Sequence, residues 1–278
     1  MQGPGAPTGL LGDTAARDYS QKLQLFNAFA EPELRQAMRS LNLRPGMRVL
    51  DAGCGTGEAL RWLLEEVEPG GEAIGIDLSA AHVEVAGARV RPRTHVLQAD
   101  LLTAPFPPMS FDLIWCVNTI NHLRDPVHGV RTLATLLRPG GRIALGQSSL
   151  VPDMYFAWDS RLERVTNEAV RQYYRDRYGV SEDQLGAVRS IVGLLRRADL
   201  RNVTAKTFMI DRIAPVRAAD EAYLCEAIFR DTWGRRLRAY LSDGDYAMLG
   251  RLCAADHPQF ALHRPDFHFL QSFSLAVG

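Results

Sequence analysis

Two rhythms of apolar and polar positions alternate along residues 44–149. Short, nearly continuous apolar runs predict strands at Arg48–Ala52, Ala73–Asp77, Thr94–Gln98, Asp112–Val117 and Gly141–Gln147. Between them, apolar positions three or four apart predict helices at Gly57–Val67, Ser79–Val90 and Pro126–Leu137. Strands that lack a polar alternation are buried on both faces, and repeated strand–helix alternation implies a parallel, doubly wound sheet with right-handed crossovers. Upstream, Leu23, Phe26, Phe29, Leu34, Ala37, Met38 and Leu41 place an amphipathic stripe over Tyr19–Leu41. It reads as one or two helices broken at Glu31-Pro32, since proline suits a first helical turn.

The rhythm changes after residue 149. Leu150–Tyr178 is aromatic and charged and reads as a helical excursion. Ser181–Ala198 is predicted to be a helix with Ser181 as N-cap and Leu185, Val188, Ile191, Val192 and Leu195 on its buried stripe. Asn202–Ile210 reads as a strand, Ala218–Cys253 as a second helical insertion, and Phe267–Val277 as a final strand.

Composition narrows the class. The 278 residues carry 46% hydrophobic and 23% charged side chains, as an ordinary globular protein does. Lys plus Arg and Asp plus Glu are both 32, so no global basic surplus exists to hold a phosphate backbone, although a local basic patch stays open. Cys54, Cys116, Cys225 and Cys253 are scattered without a CxxC pair, which suggests neither a disulfide framework nor a thiolate zinc site. A reducing cytoplasm is the expectation. Residues 1–18, rich in Gly, Pro, Ala and Thr, read as a flexible tail without the pattern of a secretory signal, and no apolar run is long enough to span a bilayer.

The candidate chemistry lies at the strand ends. Val49-Leu50-Asp51-Ala52-Gly53-Cys54-Gly55-Thr56-Gly57 is an apolar strand that ends on an acid and turns through alternating glycines into a helix. Glycine there permits positive φ and lets backbone approach a ligand closely, as in nucleoside-binding crevices. Asp77 closes the next strand and either accepts two ribose hydroxyls or caps the helix near Ser79. Asp100, in Gln98-Ala99-Asp100-Leu101, suits an exocyclic adenine amine, with the Leu101 amide reaching the ring, or is a surface turn acid. Phe111–Val117 is followed by Asn118, Asn121 and His122, polar groups at the carboxyl edge where open α/β sheets bind ligands. A dinucleotide loop would want Gly-x-Gly-x-x-Gly, whereas residue 58 is Glu and the third glycine is Gly57.

Taken as a set, the Asp-Ala-Gly-Cys-Gly-Thr-Gly turn, Asp77, Gln98-Ala99-Asp100, the Phe-Asp-Leu-Ile strand and Leu137-Arg138-Pro139-Gly140-Gly141 resemble the class I S-adenosylmethionine-dependent methyltransferases, in particular the small-molecule branch. The match spans about residues 44–147. The resemblance implies a Rossmann-like seven-stranded sheet, mostly parallel with an antiparallel last strand, plus helical lid insertions. It implies S-adenosylmethionine as cofactor, with Gly53, Cys54, Gly55 and Gly57 near its methionine portion and Asp51 ordering groups near its amine. Asp77 and Leu78 would take the ribose end, Asp100 and Leu101 the adenine, and Asn118 the methionyl end through its backbone. Where many relatives carry paired histidines, this chain has Asn121-His122.

The corresponding division is a tail (1–18), an N-terminal helical segment (19–43), the cofactor-binding core (44–149), a helical lid (150–180), a core helix and strand (181–212), a second helical insertion (213–266) and a final core strand (267–278). The expected function is methylation of a small-molecule acceptor, on oxygen or nitrogen rather than carbon; a non-catalytic protein that binds the cofactor or its product is the alternative. His122 is the candidate base, weighed against a packing histidine. Tyr19, His122, Tyr155, Trp158 and Tyr173 are the candidate acceptor-binding residues, with the aromatic set Tyr155, Phe156, Trp158, Tyr173 and Tyr174 over the cleft as a lid or as the core of a small helical cap. The arginines between Arg161 and Arg177 are interleaved with acids and read as a solvated helix face. His263, Asp266 and His268 lack a closed ligand set, so no metal is expected. Neutral charge and Asn118-Thr119-Ile120, in place of a base-holding motif, disfavour nucleic acid. No membrane partner is expected, and a homodimer stays open.

Overall fold

A computed structural model describes residues 19–90, 94–149, 154–156, 158–179 and 185–278. A single sheet organises them. Its strands are β1 (Arg48–Ala52), β2 (Glu72–Asp77), β3 (His95–Gln98), β4 (Phe111–Val117), β5 (Leu137–Ser148), β6 (Tyr155–Phe156), β7 (Thr204–Ile213) and β8 (His268–Val277). The hydrogen-bonded order is β3-β2-β1-β4-β5-β8, and β6 and β7 both pair with β8. Neighbours from β3 through β5 are parallel, whereas β8 runs antiparallel to β5, β6 and β7. The chain thus moves outward from β1 to β3 and then returns to β4, which opens a crevice between β1 and β4 at their carboxyl ends. The expected mostly parallel sheet with an antiparallel last strand is present, with the short β6 as an addition.

The helices are α1 (Ser20–Arg39), α2 (Glu58–Val67), α3 (Ala80–Val90), α4 (Pro126–Ala134), α5 (Ser160–Tyr178), α6 (Ala187–Arg197), α7 (Ala218–Ala222), which continues as a π-helix over Tyr223–Trp233, and α8 (Asp243–Cys253). Alternate residues of the central strands enter two separate cores. Val49, Leu113, Trp115 and Ala144 pack with α1, α2 and the π-helix. Leu50, Ile114, Cys116, Ile143 and Leu145 pack with α4 and α6 on the other face. Both faces being covered is why these strands read as unbroken apolar runs. Among the described residues, no helix is long and apolar enough to cross a membrane.

Several boundaries differ from the sequence reading. Helix α1 is unbroken and passes through Pro32. Proline brings no backbone N–H and crowds the preceding turn. The Phe29 carbonyl in that turn accepts hydrogen bonds from Arg212 Nη2 at 2.7 Å and Arg217 Nη2 at 3.1 Å. Arg212 is itself held by Glu33 Oε1 at 2.8 Å and Asp220 Oδ1 at 2.9 Å. A buried ionic knot from β7 and α7 thereby grips the proline turn. Tyr155-Phe156 is strand rather than lid helix, because it pairs with Leu270 and Phe269 of β8. Strand β7 runs on to Ile213, paired along its length to His268. Helix α4 stops at Ala134, since Leu137 already belongs to β5. The insertion read as Ala218–Cys253 is divided by a 3₁₀ turn at Arg235–Leu237. The tail and the Ser181 cap lie outside the described residues.

Removing one partner of a buried ion pair strands the others, which costs about 3–5 kcal/mol. Arg212→Met is expected to lower unfolding stability in urea by that amount, because Glu33, Asp220 and the Phe29 carbonyl lose their shared donor. A stability within about 0.5 kcal/mol of wild type would contradict this role.

Candidate functional site

Strand β1 delivers Asp51 to the sheet edge, and the chain then turns through Gly53, Gly55 and Gly57 at φ +87°, +51° and +84° into α2. The turn is pinned from below, as the Gly53 and Cys54 amides both donate to the Ile76 carbonyl of β2, at 2.8 and 2.9 Å. A Cβ on Gly53 would sit 2.2 Å from Thr119 Oγ1. The loop after β4 therefore presses directly on the glycine turn. A Cβ on Gly57 would stand 3.0 Å from the Ala86 Cβ of α3. Gly57 is not on the wall of the cavity described next. It was expected near the cofactor, but its left-handed φ starts α2 and its bare face packs against α3.

A cavity of about 700 Å³ opens at the carboxyl ends of the strands. Asp51, Gly53, Cys54 and Gly55 form its wall at the turn, with Asp77, Leu78, Asp100 and Leu101 along β2 and β3 and Asn118 at the end of β4. Apart from Gly57, the structure brings every expected cofactor residue to this one space.

The acids that end β1 and β2 are in opposite electrostatic states. Asp77 Oδ2 accepts from the Gly55 amide at 2.9 Å, while Oδ1 accepts from the Ser79 amide at 2.9 Å and His82 Nδ1 at 3.2 Å. It holds the helix start and the glycine turn at once, while still lining the cavity. Burial pushes its carboxyl up, but the bonds from His82, Ser79 and Gly55 outweigh that and hold it below the usual carboxylate range. The Tyr19 amide donates to His82 Nε2 at 3.3 Å. His82 thus ties the chain just before α1 to Asp77.

Asp51 has no such help. It is 2% exposed, and its Oδ2 has no hydrogen-bond partner. Burial first, then the charges of Asp77 and Glu58, push its carboxyl up to about 8. A cation placed beside it would reverse that.

Two further candidates are shaped by local bonding. Asp100 Oδ1 accepts from the Leu102 amide at 2.9 Å and caps the 3₁₀ turn Leu101–Thr103. Asn118 has φ +54°, uncommon for a residue with a Cβ and found where surrounding structure enforces it. Its side chain does the enforcing. Oδ1 accepts from the Ser148 amide at 2.8 Å and Nδ2 donates to Ser148 Oγ at 3.3 Å, stitching the ends of β4 and β5 together.

His122 lines the same cavity from the 3₁₀ turn Ile120–His122. Burial lowers its pKa, and its Nδ1 has no partner, so the imidazole is neutral and able to take a proton.

The acceptor-side candidates divide. Tyr19 is on the wall. Tyr155 is not: it is 56% exposed on β6, beside a separate shallow groove. Trp158 is stacked on Phe156 at 4.4 Å and packs on Trp233 at 5.7 Å. Tyr173 packs against Tyr174 and Tyr240 with Arg236 over its ring. Helix α5 instead turns Tyr174 and Tyr178 to the cavity, four residues apart on one face. Burial pushes the Tyr174 phenol up to about 12. Sequence reasoning also missed Lys22, Gln147, Tyr223, Arg236 and Gln271, all on the wall. The signal for Gln147 was available, as a lone amide at the end of the apolar strand β5. Elsewhere, Asp266 pairs with Arg264 at 2.6 Å and His268 Nε2 with Asp211 at 3.0 Å. Among the described residues, no group of three metal-ligating side chains comes together.

The unfolded chain loses the Asp51 proton near pH 4, whereas the folded protein keeps it to about pH 8. The folded state binds the extra proton, so this residue makes stability fall as pH rises from about 4 to 8. Asp51→Asn is therefore expected to raise Tm of the ligand-free protein at pH 8 more than at pH 5, measured by calorimetry. An equal shift at both pH values would show that Asp51 ionises freely. Gly53→Ala combines a forbidden φ with the Thr119 collision and is expected to cost at least about 2 kcal/mol in urea unfolding. A neutral effect would contradict the close approach.

Comparison with known proteins places this geometry. Residues 49–141 match the family model described as a methyltransferase domain. The 27-O-demethylrifamycin SV methyltransferase of Amycolatopsis mediterranei is 41% identical over 118 residues, covering 40% of this chain and 42% of that protein. The chain thus spans less than half the length of this relative. The malonyl-[acyl-carrier protein] O-methyltransferase of Pseudescherichia vulneris is 29% identical over 198 residues, covering 65% of this chain and 75% of that protein. A solved S-adenosylmethionine-dependent methyltransferase from Aquifex aeolicus shares the fold, with a TM-score of 0.50 at 20% identity over 68% of this chain and 90% of that one. Residues 49–141 thus match a methyltransferase domain, set in a fold shared with a solved S-adenosylmethionine-dependent methyltransferase.

Proposed function

We propose that the protein transfers a methyl group from S-adenosylmethionine to a small-molecule acceptor, on oxygen or nitrogen rather than carbon. The observation that carries this reading is the unpartnered Asp51 carboxyl beside an ionised Asp77 on the wall of one cavity. The residues suit the cofactor. Asp51 Oδ2 is a buried acceptor in want of a cation such as an α-ammonium, and Asp77 and Asp100 each keep oxygen lone pairs for hydroxyl or amine donors. Gly53, Cys54, Gly55, Leu78, Leu101 and Asn118 complete that end.

When bound, the cofactor supplies a methyl group activated by its sulfonium. The remaining work for the chain is alignment, exclusion of water and removal of a proton. An acceptor hydroxyl or protonated amine must lose a proton as it is methylated, and His122, neutral and on the same wall, takes it. Tyr19 approaches from the N-terminal side, and Tyr174 and Tyr178 close the far side against water. The relative from Pseudescherichia vulneris is named an O-methyltransferase, which supports oxygen as the receiving atom. Equal numbers of acidic and basic residues favour a small molecule over nucleic acid. The free thiols Cys54, Cys116, Cys225 and Cys253 support a reducing, cytoplasmic setting.

Calorimetry with S-adenosylhomocysteine and with NAD is expected to show binding of the first alone; preferential binding of NAD would overturn the assignment. A labelled-methyl screen over small molecules then separates turnover from mere cofactor binding. With an acceptor in hand, His122→Gln is expected to lower kcat by about 10²-fold or more while leaving S-adenosylhomocysteine affinity intact. Unchanged kcat would remove His122 as the base.

A further inference from the structure

The cavity does not end with the cofactor residues. Asp51, Asp77 and Asp100 belong to β1, β2 and the turn after β3, whereas Gln147 and Gln271 line the same space from β5 and β8. In the order β1-β4-β5-β8 these glutamines occupy the opposite half, and β8 is three strand spacings, roughly 14 Å, from β1. Both side chains are 2% exposed, polar groups on otherwise apolar strands.

The orientation of each amide is fixed by what it touches. Gln271 Nε2 donates to the Ser149 carbonyl at 2.9 Å, and Gln147 Nε2 to the Ser148 carbonyl at 3.3 Å. A carbonyl only accepts, so the nitrogen must face it and the oxygen must turn elsewhere. Both Oε1 atoms are buried without a partner. A buried acceptor left unmade is costly, and two of them on neighbouring strands of one cavity mark where a ligand's donor completes the bonding.

The surroundings decide what kind of donor. Tyr223 is buried beside Gln271, whose side chain hydrogen-bonds it, and burial outweighs that bond and keeps the phenol protonated, with a proton to donate. Tyr174, Ile228, Met154 and Leu185 add aromatic and apolar wall. Bare carbonyl oxygens repel an anion. The acid of this half, Asp231, is already held by Lys22 at 3.2 Å and Arg236 at 2.7 Å, so it offers no free charge to a cation. What remains is a neutral group that both donates and accepts, carried on an apolar ring.

We infer that Gln147, Gln271 and Tyr223 form the acceptor subsite and that it takes a neutral, hydroxyl-bearing aromatic molecule. The hydroxyl donates to a glutamine Oε1 and accepts from the Tyr223 phenol, while the ring lies against Tyr174 and Ile228. This rests on the methyl-transfer reading and names the acceptor class for it.

The test uses the full chain loaded with S-adenosylhomocysteine and two probes that differ in one donor, 2-naphthol and 2-methoxynaphthalene, measured by calorimetry and saturation-transfer NMR. 2-Naphthol is expected to bind at least tenfold more tightly than its ether. Gln147→Leu and Gln271→Leu are each expected to weaken 2-naphthol about tenfold without altering S-adenosylhomocysteine affinity. Tyr223→Phe, which removes a single oxygen, is expected to weaken it severalfold and serves if a leucine variant does not fold. Equal affinity for the two probes, no 2-naphthol binding by protein that binds S-adenosylhomocysteine, or variants that bind like wild type would each overturn the subsite. Failure of wild-type protein to bind S-adenosylhomocysteine at all would instead bring down the methyl-transfer reading.

Discussion

Two carboxyl groups, Asp51 and Asp77, stand at the ends of adjacent strands and line one cavity. Like charges so placed cannot both ionise cheaply in a desolvated site. The conflict is resolved by unequal solvation from the protein itself. Asp77 receives the Gly55 and Ser79 amides and His82, while Asp51 Oδ2 has no partner and that carboxyl keeps its proton. The glycines give the positive φ values that aim the Gly55 amide at Asp77, and His82 extends the network to Tyr19 at the threshold of α1. The loop after β4 closes the other side, with Thr119 against Gly53 and a strained Asn118 bound to β5. The proposed methyl-donor site rests on this contrast, one ionised acid and one protonated acid on the same wall.

The sheet makes this arrangement rigid, since β1, β2, β4 and β5 are held on both faces by separate cores. The second half of the chain contributes differently. Strand β8 inserts between β5 and β7 and brings Gln271 to the cavity, while α5 and the π-helix bring Tyr174, Tyr178 and Tyr223. The cofactor half and the other half of the cavity thus come from different stretches of sequence. Helix α1 joins them, because Lys22 reaches Asp231 next to the π-helix residue Thr232 while Tyr19 reaches His82.

How much of this was legible follows from the range of each cause. The run Phe111–Val117 declares a buried central strand because both faces demand apolar side chains, a purely local signal. Asp51, Asp77 and Asp100 sit at strand ends that periodicity locates, so their convergence could be read from topology. Pro32 could not be read correctly, because the residues that grip its turn, Arg212 and Arg217, lie about 180 positions away in sequence. The choice between Tyr173 and Tyr174 depends on the rotation of α5, which its partners set rather than its own sequence. Gly57 illustrates a third case: it lies off the cavity wall, and its bare face packs against Ala86 of α3, a contact set by the approach of two helices rather than by the local motif.

The central claim is that Asp51 stays protonated until a cationic ligand group arrives, and proton exchange on binding tests it most directly. S-adenosylhomocysteine binding should be followed by calorimetry near pH 7 in buffers of different ionisation enthalpy. About one proton is expected to leave the protein for each ligand bound, since a carboxyl near pKa 8 ionises beside an ammonium. The release should vanish in Asp51→Asn. Binding without proton release by wild-type protein, or the same release from the Asn variant, would contradict it.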